Sequence, residues 1–174
     1  MFQPGQLLVY GSTGVCRVEG VAAPGLDPTN RKRQYYQLKP LSQDGVIYAP
    51  MDSEKVPIRA VISREEAEAL IDQIPSIHAE ACHAPTVQAL AQRYQSAMGA
   101  RSCRELLELV MSIYVKQRQM QAQKRRLGQV DERYMKQAER LLYSELSAAL
   151  GIPAEEVQPY IASRVHSAQN DNMN

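Results

Sequence analysis

The chain changes its grammar once, near residue 62, and that change constrains the fold more than any motif does. Before it, short runs of β-branched and aromatic residues are separated by turn formers; after it, apolar residues recur at helical spacing. Six of the ten prolines and six of the nine glycines lie in residues 1–60. The first run, residues 6–10 (QLLVY), is followed by Gly11-Ser12-Thr13-Gly14 and then by residues 15–21 (VCRVEGV), which predicts a hairpin. Residues 22–33 are polar and rich in turn formers, a loop or a loose second hairpin tip. Residues 34–39 (QYYQLK) and 46–49 (VIYA) read as the third and fourth strands, with residues 56–60 as a short fifth. Asp44-Gly45 precedes the fourth, where a tight turn needs positive φ. Strands so short and so closely spaced predict a small, strongly bent sheet or a partly open barrel.

Beyond residue 62 the signals are helical. Ser63-Arg64-Glu65-Glu66 fits a capping box, and the helix it opens should stop before Pro75. Residues 74–85 then read as a linker between the two halves. Residues 86–99 put Val87, Leu90, Ala91, Tyr94 and Met98 on one stripe. Ser102-Cys103-Arg104-Glu105 repeats the capping pattern; its helix should bury Leu106, Leu107, Val110, Met111 and Tyr114 and can run as far as Gly128. Asp131 is expected to cap the next helix, whose apolar positions are Met135, Ala138, Leu141, Leu142, Leu146 and Leu150, with Gly151 closing it. Pro153 suits the first turn of a last helix carrying Val157, Ile161 and Val165. The expected class is α+β: a β-module over residues 1–62, a helix and linker over 63–85, a compact all-α domain of about four helices over 86–166, and a disordered tail over 167–174.

Charge is uneven along a chain of formal net charge +1. Residues 1–60 carry a net +2, residues 61–100 a net −3, residues 101–142 a net +5 and residues 143–174 a net −3. A basic middle segment is what a nucleic-acid-facing patch requires, although such runs also serve as ordinary solvated faces. No apolar run reaches the roughly 20 residues of a membrane span. The opening Met1-Phe2-Gln3-Pro4-Gly5 lacks the basic and apolar regions of a signal peptide, so a cytoplasmic protein is expected. Cys16, Cys82 and Cys103 are odd in number and unpaired in spacing, which predicts free thiols.

The opening stretch from Phe2-Gln3-Pro4-Gly5 through Val9-Tyr10-Gly11 to Val15-Cys16-Arg17-Val18 resembles the start of the CarD/CdnL-like family of RNA-polymerase-binding transcription regulators. Tyr35-Tyr36-Gln37-Leu38-Lys39-Pro40 and Ile47-Tyr48-Ala49-Pro50-Met51 resemble the family's third and fourth strands, and residues 56–66 (VPIRAVISREE) its lead into the first helix. Arg93-Tyr94 and residues 138–146 (AERLLYSEL) carry the looser resemblance of the helical half. The resemblance implies a Tudor-like N-terminal sheet, shared with transcription-repair coupling factors, that binds the β-subunit lobe of RNA polymerase by strand addition. By position, the contacts would be Arg33, Gln34, Tyr35, Tyr36, Gln37 and Leu38, with Tyr48 on the neighbouring strand. Strand alternation sends Tyr35 and Tyr36 to opposite faces, so one can be core and the other exposed. Tyr36 itself reads equally as core or as a partner contact.

The resemblance also implies DNA contact near the upstream edge of the promoter bubble, with a Trp wedge before an Arg-Arg-Tyr run. This chain has no Trp, and Leu90 stands at the wedge position. Leu90 reads either as a wedge or as core. Arg93, Lys124, Arg125, Arg126, Arg133 and Lys136 are the candidate phosphate contacts, which need only cations within reach and give little sequence preference.

Other signals are weaker. His78, Cys82 and His83 fall short of the four ligands and pair spacing of a structural metal site, and adjacent side chains on a loop do not make a base–nucleophile pair. Gly11-Ser12-Thr13-Gly14 is too short for a phosphate loop and lacks its Lys. The expectation is therefore a monomeric, non-enzymatic regulator without cofactor or metal, associated with the nucleoid through RNA polymerase and stabilising or adjusting the open promoter complex. The alternative is an adaptor on the polymerase whose helical domain binds another protein in place of DNA.

Overall fold

The computed structural model describes residues 1–99 and 102–171, the last four as backbone alone, in two compact units, residues 1–61 and 62–174. The first unit is an antiparallel sheet of β1 (Leu7–Tyr10), β2 (Gly14–Ala22), β3 (Tyr35–Pro40), β4 (Ile47–Pro50) and β5 (Ile58–Ala60). The strand order is β4-β3-β2-β1-β5, so the sheet is open and β4 and β5 are its edges. A short 3-10 turn, Gly11–Thr13, joins β1 to β2. Gly11 is required there: its φ is +45° and a Cβ would sit 2.6 Å from Val56 Cγ1. A register shift between Val18 and Gly20 bends β2. One face buries Leu8, Cys16, Val18, Tyr36, Leu38 and Ala49. The α+β class and the small bent sheet expected from the sequence are thus both present.

The second unit holds five helices: α1 (Arg64–Asp72), α2 (Val87–Met98), α3 (Cys103–Ala122), α4 (Gln129–Leu150) and α5 (Ala154–Asp171). Helix α4 packs against each of the other four and is the hub. The Ser63 capping box forms as the sequence predicts, with Ser63 Oγ accepting from Glu66 N and Glu66 Oε2 accepting from Ser63 N. Gly151 closes α4 in the left-handed region, φ +68°.

Four boundaries differ from expectation. The segment 74–85 does not link the halves: it belongs to the helical unit, where Ile74, Ile77, Cys82 and Ala84 pack on the core. Ser112 Oγ donates to Glu80 O at 2.6 Å and fastens this strap to α3. Helix α3 ends at Ala122, six residues before Gly128, because Lys124 takes the left-handed conformation (φ 57°) and closes the helix. Its amide donates to Gln121 O and the Arg125 amide to Met120 O, the paired bonds of a Schellman closure. Gly128, not Asp131, is the N-cap of α4, and Asp131 lies in the first turn with its side chain buried. Helix α5 continues to Asp171, since nothing between Val165 and Asp171 breaks it; of the expected disordered tail, residues 172–174 lie outside the described residues.

Candidate functional site

Strand β3 is not an edge. It pairs with β2 on one side and β4 on the other, so its backbone is already satisfied and cannot add to a partner's sheet. This corrects the placement of the docking strand on residues 33–38. Tyr35 and Tyr36 are both buried, at 6% and 5% exposure, although they point to opposite faces. Tyr36 is core: its hydroxyl accepts from Phe2 N at 3.1 Å, and the Phe2 ring meets it edge-on, 6.0 Å between centroids. Tyr35 is covered from the other side by Arg33, whose guanidinium lies 5.8 Å from the ring centroid. Arg33 is itself held, donating from Nε to Asp52 Oδ1 at 2.9 Å and pairing with Asp27 at 3.6 Å. Thr29, through its hydroxyl and amide, holds the Asp27 carboxyl below its ordinary range, and Arg33 adds to the effect. Leu38 is fully buried, Gln37 half-buried and Gln34 exposed.

The open margin beside these residues is β4. Met51 N donates to Gln34 O at 3.1 Å, and the register pairs Tyr36 with Ala49 and Leu38 with Ile47. Antiparallel alternation therefore turns the N–H and C=O of Tyr48 away from β3. The Tyr48 side chain is 40% exposed, and Val46, just before the strand, is 50% exposed. Val46 is a surface group outside the set expected from the sequence, though the Val46–Tyr48 alternation carries the signal. The opposite edge, β5, is three residues long and follows Pro57.

In the helical unit, Leu90 is buried at 9% within the core of α2, α3 and α4, which resolves its two readings in favour of core. Tyr94, one turn on, is anchored by a buried network. Its hydroxyl donates to Asp131 Oδ1 at 2.6 Å, and Lys116 Nζ donates to the same oxygen at 2.9 Å and to Cys82 O at 3.0 Å. Burial first, and then the bond to Asp131, push the Tyr94 phenol well above its ordinary range.

The exposed cations divide. Arg93 donates to His83 O and fastens the strap to α2. Lys124, Arg125 and Arg126 are exposed on the connection between α3 and α4. On α4, Arg133 and Lys136 are exposed, and Arg140, absent from the sequence-derived set, lies on the same stripe at i+7 and i+4. Arg133 stacks over the Tyr134 ring at 5.0 Å. Glu132 and Glu139 flank this stripe, four residues before and three after Lys136, and Glu139 is occupied by Tyr114 Oη at 2.7 Å. The loop and the α4 stripe thus supply adjacent segments of positive charge in one unit.

Among the described residues no three His, Cys, Asp or Glu side chains converge to hold a metal, and no helix is long and apolar enough to cross a membrane. With the geometry in place, the comparisons are specific. Residues 2–62 match the CarD-like/TRCF RID domain family. The sheet unit is therefore a CarD-like/TRCF RNA-polymerase-interacting domain, which makes this a transcription-related protein. The match ends where the helical unit begins. No curated protein matches the chain.

Proposed function

We propose that the chain is a non-catalytic bacterial transcription regulator that binds the RNA polymerase β subunit through the β4 edge. Its α3–α4 connection and α4 stripe contact promoter DNA near the upstream edge of the bubble and modulate open-complex stability. The observation that carries this reading is the outward-turned backbone of Tyr48, flanked by exposed Val46 and Tyr48 side chains, in a domain of the polymerase-interacting class. An open edge of this kind pairs readily with a partner strand, and Tyr adds contact area with a polar tip. Tethering raises the local concentration of the helical unit at the DNA, so individually weak phosphate contacts suffice.

The docking half is tested by capture of the β-subunit lobe with the wild type, Tyr48→Ala and Tyr48→Pro. Capture should weaken with Ala, which keeps the backbone donor, and fail with Pro, which removes it. Equal capture by all three would take β4 out of the interface. The DNA half is tested by the salt dependence of fork-junction duplex binding. Lys136→Glu with Arg140→Glu should weaken binding uniformly across sequences and flatten the slope of log K against log salt by about one per lost contact. The burial of Leu90 favours a second reading, an adaptor whose helical unit binds a protein, because it withdraws the apolar wedge from that position. The absence of any fork-duplex binding at low salt would select the adaptor.

A further inference from the structure

The helical unit contains a half-enclosed groove of about 410 Å³, walled by the strap 74–79 on one side and by α3, α4 and α5 on the others. Its floor, including Val110 and Leu142, belongs to the buried core, while Ile77 and Ile161 line its open part and are only half-buried. The walls are fixed independently of any occupant. Ser112 holds the strap at Glu80, and Glu139 holds the Tyr114 hydroxyl. Tyr143 completes this wall; its phenol is raised above the ordinary range chiefly by burial. A pre-formed concave site of this size, mostly apolar with a few polar groups, has the form of a small-molecule pocket.

The charge of the lining residues is one-sided, while Glu139, behind the wall, is taken up by the Tyr114 hydroxyl. Among the described lining residues there is no carboxylate, and Arg118 is the one permanently charged group; His78 is the other basic side chain. Arg118 is exposed and has no ion-pair or hydrogen-bond partner among the described residues, unlike Arg33, Arg93, Arg104 and Arg164. We infer that this groove binds an amphiphilic monocarboxylate, its apolar body lying on Val110 and Leu142 and its carboxylate paired with Arg118. A neutral amphiphile would leave the guanidinium unused, and a polyanion would find one cation and an apolar wall. The inference does not depend on the polymerase reading.

The test uses the full chain and decanoate, an acid of about ten carbons that suits a pocket of this class, with decanol as its neutral counterpart. Methyl shifts of Met111 and Ile161, which line the groove, report occupancy by NMR. Decanoate should bind saturably, and Arg118→Gln should weaken it about tenfold by removing a charge-assisted bond while leaving decanol unchanged. Ala79→Phe, placed on the half-buried strap, should fill the groove and abolish both signals with the circular dichroism spectrum intact. Absence of saturable decanoate binding, or equal affinity in Arg118→Gln, overturns the inference. So does loss of β-subunit capture by Ala79→Phe alongside a flat decanoate titration, which would assign the groove to a protein segment.

Discussion

Lys124 is the non-glycine residue with positive φ among the described residues, and it occupies the position where glycine closes most helices of this type. An L side chain there costs about 1 kcal/mol relative to glycine. Lys124→Gly should therefore raise the urea midpoint, by about 0.5–1 kcal/mol of stability, while removing one candidate DNA contact; the two effects separate in a single variant. Asp131 predicts the opposite. It is 3% exposed and shares one oxygen between Tyr94 and Lys116, the latter 6% exposed. Asp131→Ala strands a buried ammonium and should cost about 3–5 kcal/mol. Lys116→Met with Asp131→Leu, which removes both charges, should cost less, as measured by equilibrium denaturation. If the double variant were the less stable of the two, the network would be contributing more than charge compensation.

Three of the partly or fully buried tyrosines of the helical unit carry raised phenols: Tyr94 on α2, Tyr114 on α3 and Tyr143 on α4. Burial is the leading cause that raises each phenol above its ordinary value of 10.0. Because the folded value lies above the unfolded one, their contribution is fully present below pH 10 and is lost as pH rises past it. The urea midpoint should be insensitive to these groups below pH 10 and fall above it, with a shallower fall in Tyr94→Phe; a fall that begins below pH 9 would assign the effect elsewhere. The same elements show what a sequence can disclose. Ser63, Ser102 and Gly151 announce their helix ends because their side chains, or the lack of one, make the terminal bonds themselves. The end of α3 is hidden because a lysine accepts the strained position, and the cap of α4 because Asp131 is drawn inward by partners 15 and 37 residues away.

At the scale of the whole molecule, the change of grammar near residue 62 coincides with the division into a sheet unit and a helical unit. Five strands were legible in runs as short as residues 46–49, but their order was not, since strand order is set by long-range pairing. That is why the resemblance alone points to β3 as the docking strand, when the open margin belongs to β4. The basic loop and the α4 stripe were legible as charge, and Arg140 was not, because its membership follows from helical phase more than from the local run. Polymerase docking by strand addition at β4 is the claim on which the functional account rests. Hydrogen exchange of the full chain with and without the β-subunit lobe tests it most directly: the Tyr48 amide, turned away from β3, should gain strong protection while the outward amides of β5 exchange as before. Protection confined to β5, or an unchanged Tyr48 amide in a saturated complex, would contradict it.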